Sequence, residues 1–162
     1  KLRLIGGPIG HINFFKIKTK ATFLDLTKEM EEIIKETKAS RFVLDSTNLF
    51  TMLFEDEIER RRALADLIAM LDKLKCTSIL TCEVKENSNA ISWHGFEEFV
   101  VDGVIVLHRI PFENMFERAV SVVKMRGSGH SQKVGLLNIT KEGIEVFADR
   151  EPYKPIYSNH NH

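Results

Sequence analysis

Apolar positions along the chain fall into helical and extended patterns that alternate. Leu26, Met30, Ile33 and Ile34 recur at helical spacing around Thr27, with carboxylates from Glu29 to Glu32. A hydroxyl followed by acidic residues suits a helix N-terminus, so the spacing predicts a helix over 27–38. Arg41-Phe42-Val43-Leu44-Asp45-Ser46 follows, a short apolar run that stops abruptly on a carboxylate and a hydroxyl. That is the pattern of a buried strand whose C-terminal end meets a site. Leu64, Leu67, Ile68, Leu71 and Leu74 mark one face of a second helix, with Glu57, Arg60, Arg61, Asp66 and Lys73 mostly elsewhere on its surface. Thr77-Ser78-Ile79-Leu80-Thr81-Cys82-Glu83 reads as another buried strand that also finishes on a carboxylate. Strand, helix and strand at this spacing form a βαβ unit, which crosses over right-handed and sets the strands parallel. Asp45 and Glu83 are then expected at the same edge of one sheet.

The remainder turns to strands. Asp102-Gly103 precedes Val104 to His108, Ala119 to Met125 alternates loosely, and Leu136 to Ile139 and Ile144 to Phe147 flank Thr140-Lys141-Glu142-Gly143. The last pair predicts a hairpin with glycine at a position of positive φ. The expected fold class is α/β, a mostly parallel sheet flanked by helices and extended by antiparallel C-terminal strands. A chain of 162 residues suits one domain, here residues 1–150, with the proline-containing polar stretch 151–162 as a tail.

Composition narrows the classes. The 23 basic side chains balance 23 acidic ones, so the overall basic footprint of a duplex-DNA binder is missing and nucleic acid is the minority reading. No apolar run approaches the roughly 20 residues a bilayer needs, and residues 1–7 lack a signal-peptide pattern, which leads us to expect a soluble, cytoplasmic protein with no membrane partner. Cys76 and Cys82 form neither a disulfide framework nor a zinc pattern.

Two segments carry candidate chemistry. An apolar strand ending in Asp45 is what a Walker B element needs, because it delivers a carboxylate to the sheet edge where Mg2+ or its water ligands can be oriented; capping of the following turn is the even alternative. Lys124-Met125-Arg126-Gly127-Ser128-Gly129-His130 sends two cations from one strand face into a glycine-rich loop. Lysine offers phosphate a point charge, arginine a fork, and the glycines close backbone approach, whereas a solvated strand end is the plainer reading. A P-loop, Gly-x-x-x-x-Gly-Lys-Ser/Thr, does not occur in these residues: Gly6-Gly7-Pro8-Ile9-Gly10 runs into His11-Ile12.

Taken together, Leu44-Asp45-Ser46, Arg60-Arg61-Arg62, Thr77 to Glu83, the run from Gly95-Phe96-Glu97-Glu98-Phe99-Val100 to Leu107, Lys124 to His130 and Ile139 to Val146 resemble the C-terminal half of a KaiC-like ATPase of the RecA superfamily. The resemblance holds in order and spacing over roughly residues 40–147. It implies a RecA-like core assembled as a homo-oligomeric ring, typically a hexamer, with ATP and Mg2+ between neighbouring subunits. Asp45 falls on the Walker B aspartate, the expected metal-orienting and catalytic group, with Ser46 beside it. Lys124 and Arg126 fall on the pair that reaches across to the neighbour's phosphates, Met125, Ser128 and His130 on companion contacts to that nucleotide, and Thr140 on a contact near base or ribose. Lys141 stands where some relatives carry Asp. Glu83 occupies the strand end where the superfamily places a γ-phosphate sensor, with a structural role as the alternative.

In that family the P-loop and catalytic glutamates lie upstream of the matching region. Residue 1 is therefore expected to be the interior of a longer ATPase, or the chain a degenerate paralogue, and the chain alone a poor hydrolase. Two rival readings stand: a non-catalytic assembly or regulatory module on a RecA-like core, and a recombinase-like single-stranded DNA binder using loop 84–94 and Trp93. Of the remaining features, Arg60-Arg61-Arg62 is expected as a solvated or interface face, Phe50 to Phe54 as core or interface, and the tail's His160 and His162 as a weak metal pair.

Overall fold

The computed structural model describes residues 20–84, 90–150 and 152, of which 20–25 as backbone. The expected tail apart from Pro152, its two histidines and the middle of loop 84–94 lie outside the described residues. The chain divides into two compact units, Lys1–Val100 and Val101–His162.

In the first unit the order is α1 (Lys20–Thr37), β1 (Arg41–Leu44), α2 (Thr47–Thr51), α3 (Glu57–Lys73), β2 (Thr77–Leu80) and α4 (Glu97–Val100). α1 starts earlier than residue 27 because Ala21 and Leu24 continue the helix-forming sequence upstream. α3 begins where the Asp56 carboxylate accepts the Glu59 N–H at 3.3 Å, carries Glu57 and Glu59 in its first turn and Lys73 in its last, and ends before Lys75 at φ 55°. Its Leu64, Leu67 and Leu71 are buried together with Met30 and Ile34 of α1, Phe50 of α2, and Phe96. Full burial of each such side chain stabilises by roughly 1.5–3 kcal/mol, so this cluster holds the strand pair against the helices.

β1 and β2 pair in parallel, Arg41 with Thr77 through Leu44 with Leu80, as the βαβ spacing predicts. The strands differ from expectation in burial. Phe42, Leu44 and Leu80 pack on the core, but their outward neighbours Val43 and Ile79, partners in register, are 64% and 62% exposed. Of the arginine run, expected as a solvated or interface face, Arg61 and Arg62 are exposed and Arg60 is half-buried. The Arg60 guanidinium donates to the Phe54 and Glu55 carbonyls at 3.0 and 2.8 Å, fastening the α2–α3 connection, and Arg61 lies 5.3 Å over the Phe96 ring.

The second unit is an antiparallel meander in the order β3 (Gly103–Phe112), β4 (Met115–Met125), β5 (Gly135–Thr140), β6 (Gly143–Phe147). β3 continues past His108 through Pro111, because proline's missing N–H is tolerated on an edge strand. A bulge interrupts the β3–β4 register between Val104 and Ile105. The β5–β6 hairpin turns at Gly143 (φ 131°), and the Thr140 hydroxyl fixes the turn by accepting the Glu142 N–H at 3.2 Å. Ile110 and Ala119 are buried on one face, while Ile105 and Leu107 on the other are 61% and 72% exposed. The α/β class thus appears as a parallel pair and a separate antiparallel sheet. No described helix is long and apolar enough to cross a membrane.

Candidate functional site

The candidate residues fall into one group on each unit. On the first, the strand ladder continues past the ends of β1 and β2: Thr81 N–H donates to the Leu44 carbonyl at 3.0 Å, and Thr47 N–H to the Thr81 carbonyl at 2.8 Å. The chain leaves β1 through a cis Asp45–Ser46 bond into α2, where Ser46 occupies the N-cap position. Ser46, Thr47 and Thr51 are buried, so the entry to α2 is a polar seam inside the unit.

This seam orients the Asp45 carboxylate and holds the Glu83 backbone. The Thr81 hydroxyl donates to Asp45 Oδ1 at 2.6 Å, across the strand pair. Thr47 Oγ1 donates to the Thr81 carbonyl at 3.1 Å, and the Asn48 side-chain carbonyl accepts the Glu83 N–H at 2.8 Å. Asp45 and Glu83, both exposed, are therefore held at the C-terminal ends of adjacent parallel strands, the edge where open α/β sheets receive ligands. The Asp45 carboxylate turns to Thr81, and the cap position of α2 belongs to Ser46. Among the described residues no cluster of three or more His, Cys, Asp or Glu could hold a metal ion. One oriented carboxylate suits Mg2+, which keeps its waters and draws further ligands from substrate phosphates.

Beside this seam lies a carboxylate that the sequence pattern does not announce. Glu97, 6% exposed, accepts the His94 N–H at 3.3 Å on one oxygen and the Phe96 N–H at 3.1 Å on the other, and Cys82 Sγ lies 3.7 Å from it. Burial pushes its carboxyl upward, but the amides of Glu97, Phe96 and His94 and the Ser92 hydroxyl outweigh this and hold it below the usual range. Burial also raises the Cys82 thiol, so Cys82 stays protonated. His94 Nε2 is 3.0 Å from Thr51 Oγ1, tying this turn to α2, and Ser92 is bonded to Glu98.

On the second unit, Lys124 and Met125 close β4, opposite Val104 and Gly103. A Cβ at 103 would stand 3.0 Å from the Met125 sulfur, so a side chain there would make the flexible methionine shift. Arg126 N–H donates to the Asp102 carbonyl at 2.8 Å, and its guanidinium lies 3.5 Å from the Asp102 carboxylate. Gly127 then takes φ 69°, and Ser128 N–H donates to the Met125 carbonyl at 3.4 Å, which turns the loop outward. Arg126 and Ser128 are exposed and His130 half-buried, with its Nδ1 3.1 Å from the Ser131 carbonyl. Thr140 is the last residue of β5. The structure thus brings Lys124, Met125, Arg126, Ser128 and His130 together at one strand exit, and Asp45, Ser46 and Glu83 at another.

Thr81, Thr47 and Asn48 join the site only through the structure. Their readable signal is the polar pair Thr47-Asn48 directly after the strand-ending Asp45-Ser46, together with Thr81 in the parallel partner strand.

The family described as "ATPase: KaiC" matches residues 9–151. The circadian clock oscillator protein KaiC of Prochlorococcus marinus is 33% identical over 127 residues, covering 76% of this chain and 25% of that protein. KaiC 1 of Synechocystis sp. is 31% identical over 122 residues, covering 75% and 24%. The crystal structure of a KaiC-like protein from the hyperthermophilic archaeon Pyrococcus horikoshii OT3 superposes with a TM-score of 0.70 at 31% identity, over 77% of this chain and 56% of that one. The chain therefore spans about a quarter of the length of the curated relatives it matches. With the match extending over most of its residues and the fold shared, the chain belongs to the KaiC family of ATPases, on a RecA-like α/β fold.

Proposed function

We propose that this chain supplies part of an ATP site lying between neighbouring subunits of a KaiC-like homo-oligomer, a hexameric ring by analogy with the family, working in the cytoplasm. The observation that carries this reading is the bond from Thr81 to Asp45 Oδ1, which fixes a carboxylate beside Glu83 at the ends of two parallel strands. Asp45 orients Mg2+ or its waters, with Ser46 beside it, and Glu83 faces the γ-phosphate. Mg2+ held through Asp45 would supply neutralisation of the phosphate charge.

Lys124 and Arg126 reach the nucleotide of the adjacent subunit. A cation supplied in trans stabilises the charge that spreads over the transferred phosphoryl group, an effect worth on the order of 10³ to 10⁵ in rate where another segment cradles the phosphates. Met125, Ser128 and His130 accompany that contact and Thr140 lies near base or ribose. The Asp102 carboxylate beside Arg126 keeps the guanidinium at the strand exit until phosphate replaces it.

A titration of Mg2+ at fixed ATP, read as nucleotide binding by the assembled protein, tests the cis half. Asp45→Asn should raise the Mg2+ needed for half-saturation about tenfold or more while metal-free nucleotide binding stays unchanged. An unchanged Mg2+ requirement would contradict the role given to Asp45. The alternative, an assembly or regulatory module without catalysis, draws on the open apolar positions Val43 and Ile79 and expects no ATP binding at all.

A further inference from the structure

Polar contacts inside the first unit run without a break from the turn at residues 92–97 to Asp45. His94 Nε2 stands 3.0 Å from Thr51 Oγ1, and the Thr51 hydroxyl reaches back along α2 to the Thr47 and Asn48 carbonyls, each at 3.0 Å. Thr47 Oγ1 donates to the Thr81 carbonyl at 3.1 Å, and Thr81 Oγ1 donates to Asp45 Oδ1 at 2.6 Å. Thr47 and Thr51 are 2% and 0% exposed, which removes solvent as a substitute partner for them. They are the first and last residues of α2, a single helical turn, so a shift at one is carried to the other.

The direction of the first bond follows from the hydrogens available. A hydroxyl has one proton, and the two carbonyls beside Thr51 can only accept. Were that proton turned to the imidazole, both carbonyl oxygens would face the lone pairs of the hydroxyl at 3.0 Å. His94 Nε2 therefore carries a hydrogen and donates it to Thr51, whose own proton points to the carbonyls of α2. The imidazole is itself held in place. The His94 backbone N–H donates to the buried Glu97 carboxylate at 3.3 Å, and the ring stacks on Phe96 with centroids 5.7 Å apart. Gly95, at φ 73°, closes the turn by donating its N–H to Ser92 Oγ at 3.2 Å. Phe96 is 2% exposed, with the Arg61 guanidinium over its ring.

We propose that His94 is a positioning residue for Asp45: its Nε2–H anchors Thr51, and through the single turn of α2 it sets where Thr47 and Thr81 hold the carboxylate. The consequence for nucleotide binding rests on the Mg2+ role given to Asp45, whereas the coupling itself does not.

The coupling is read without metal or nucleotide from the carboxyl carbon resonance of Asp45 by NMR, identified through its loss in Asp45→Asn. His94→Phe keeps a ring on Phe96 but removes the donor and should shift that resonance, as should Thr51→Val. His94→Gln, whose amide N–H can take the place of Nε2–H, should leave it near the wild-type position. In the longer ATPase, where another segment cradles the phosphates, His94→Phe should raise the Mg2+ needed for half-saturation with nucleotide about fivefold, the effect of one hydrogen bond, and His94→Gln should not. In a Thr81→Val background His94→Phe should add nothing to that requirement, which a residue that only stabilises the fold would not show. A shifted resonance with an Mg2+ requirement unmoved in both His94→Phe and Asp45→Asn would uphold the coupling and refute the metal role of Asp45. A requirement that rises in Asp45→Asn, with neither it nor the resonance moved in His94→Phe, would overturn the proposal, as would a His94→Gln variant that behaves like His94→Phe. Should His94→Phe fail to fold by circular dichroism, Thr51→Val carries the same test, with Thr51→Ser as its rescue.

Discussion

Thr81 and Asp45 meet across two parallel strands, hydroxyl to carboxylate oxygen, at 2.6 Å. Neither residue alone says where the carboxylate points; the bond does, because Thr81 is itself fixed through its backbone to Leu44 on one side and Thr47 on the other. Thr81→Val should leave the melting temperature nearly unchanged, since the pair is exposed, yet raise the Mg2+ requirement for nucleotide binding. Thr81→Ser, which keeps the hydroxyl, should restore it. A metal titration followed beside a thermal melt separates this positioning role from a structural one, which would move the melt instead.

The core around α3 gives a stability prediction. Leu64 and Leu67 are fully buried, and truncating either to alanine should cost about 2–5 kcal/mol. Val43→Thr, on the open side of β1, should cost under ~1 kcal/mol in the isolated chain. Urea unfolding of the three variants checks the contrast. A large loss at Val43 would mean that this side is covered.

Glu97 predicts a pH dependence. Its folded carboxyl titrates below the ordinary value of 4.5, so its contribution to stability is fully present above that value and is lost as pH falls through the lower folded one. Melting temperature should therefore drop as pH is lowered from about 5, and Glu97→Gln, unable to offer two charged oxygens to the His94 and Phe96 amides, should flatten that slope. Parallel slopes in wild type and variant would contradict the assignment.

Gly127 tests the loop that carries the cations. At φ 69° a Cβ on this residue would meet nothing within 4 Å, so Gly127→Ala introduces backbone strain but no clash, costing roughly 1–2 kcal/mol. It should loosen the Met125–Ser128 turn and weaken the trans contribution of Arg126 to turnover more than it lowers the melting temperature of the whole chain. Steady-state turnover by the assembled protein, measured beside a thermal melt, checks this.

How far the sequence carried depended on the range of the interaction. Helix α3 and the parallel β1–β2 pair were legible, because leucines at helical spacing and apolar runs ended by carboxylates are local signals. The extension of β3 through Pro111 was not, since an edge position is a property of the assembled sheet. Burial on one face only was hidden for the same reason: Val43 and Ile79 look like core residues in sequence, and only the register shows them paired on the open side. At the candidate site, Asp45, Glu83, Lys124 and Arg126 announced themselves by charge at strand ends. Thr81, Asn48 and Glu97 did not, because their roles arise from partners far along the chain, 36 residues away for Thr81 and Asp45.

If each ATP is shared, Asp45 comes from one subunit and Arg126 from the next. Mixing Asp45→Asn and Arg126→Ala forms of the longer ATPase, in which another segment cradles the phosphates, tests this most directly. Each alone should turn over ATP at a small fraction of the wild-type rate, whereas random mixing leaves about a quarter of the interfaces with both residues intact and should restore turnover in that proportion. A mixture no more active than its components would contradict the shared site.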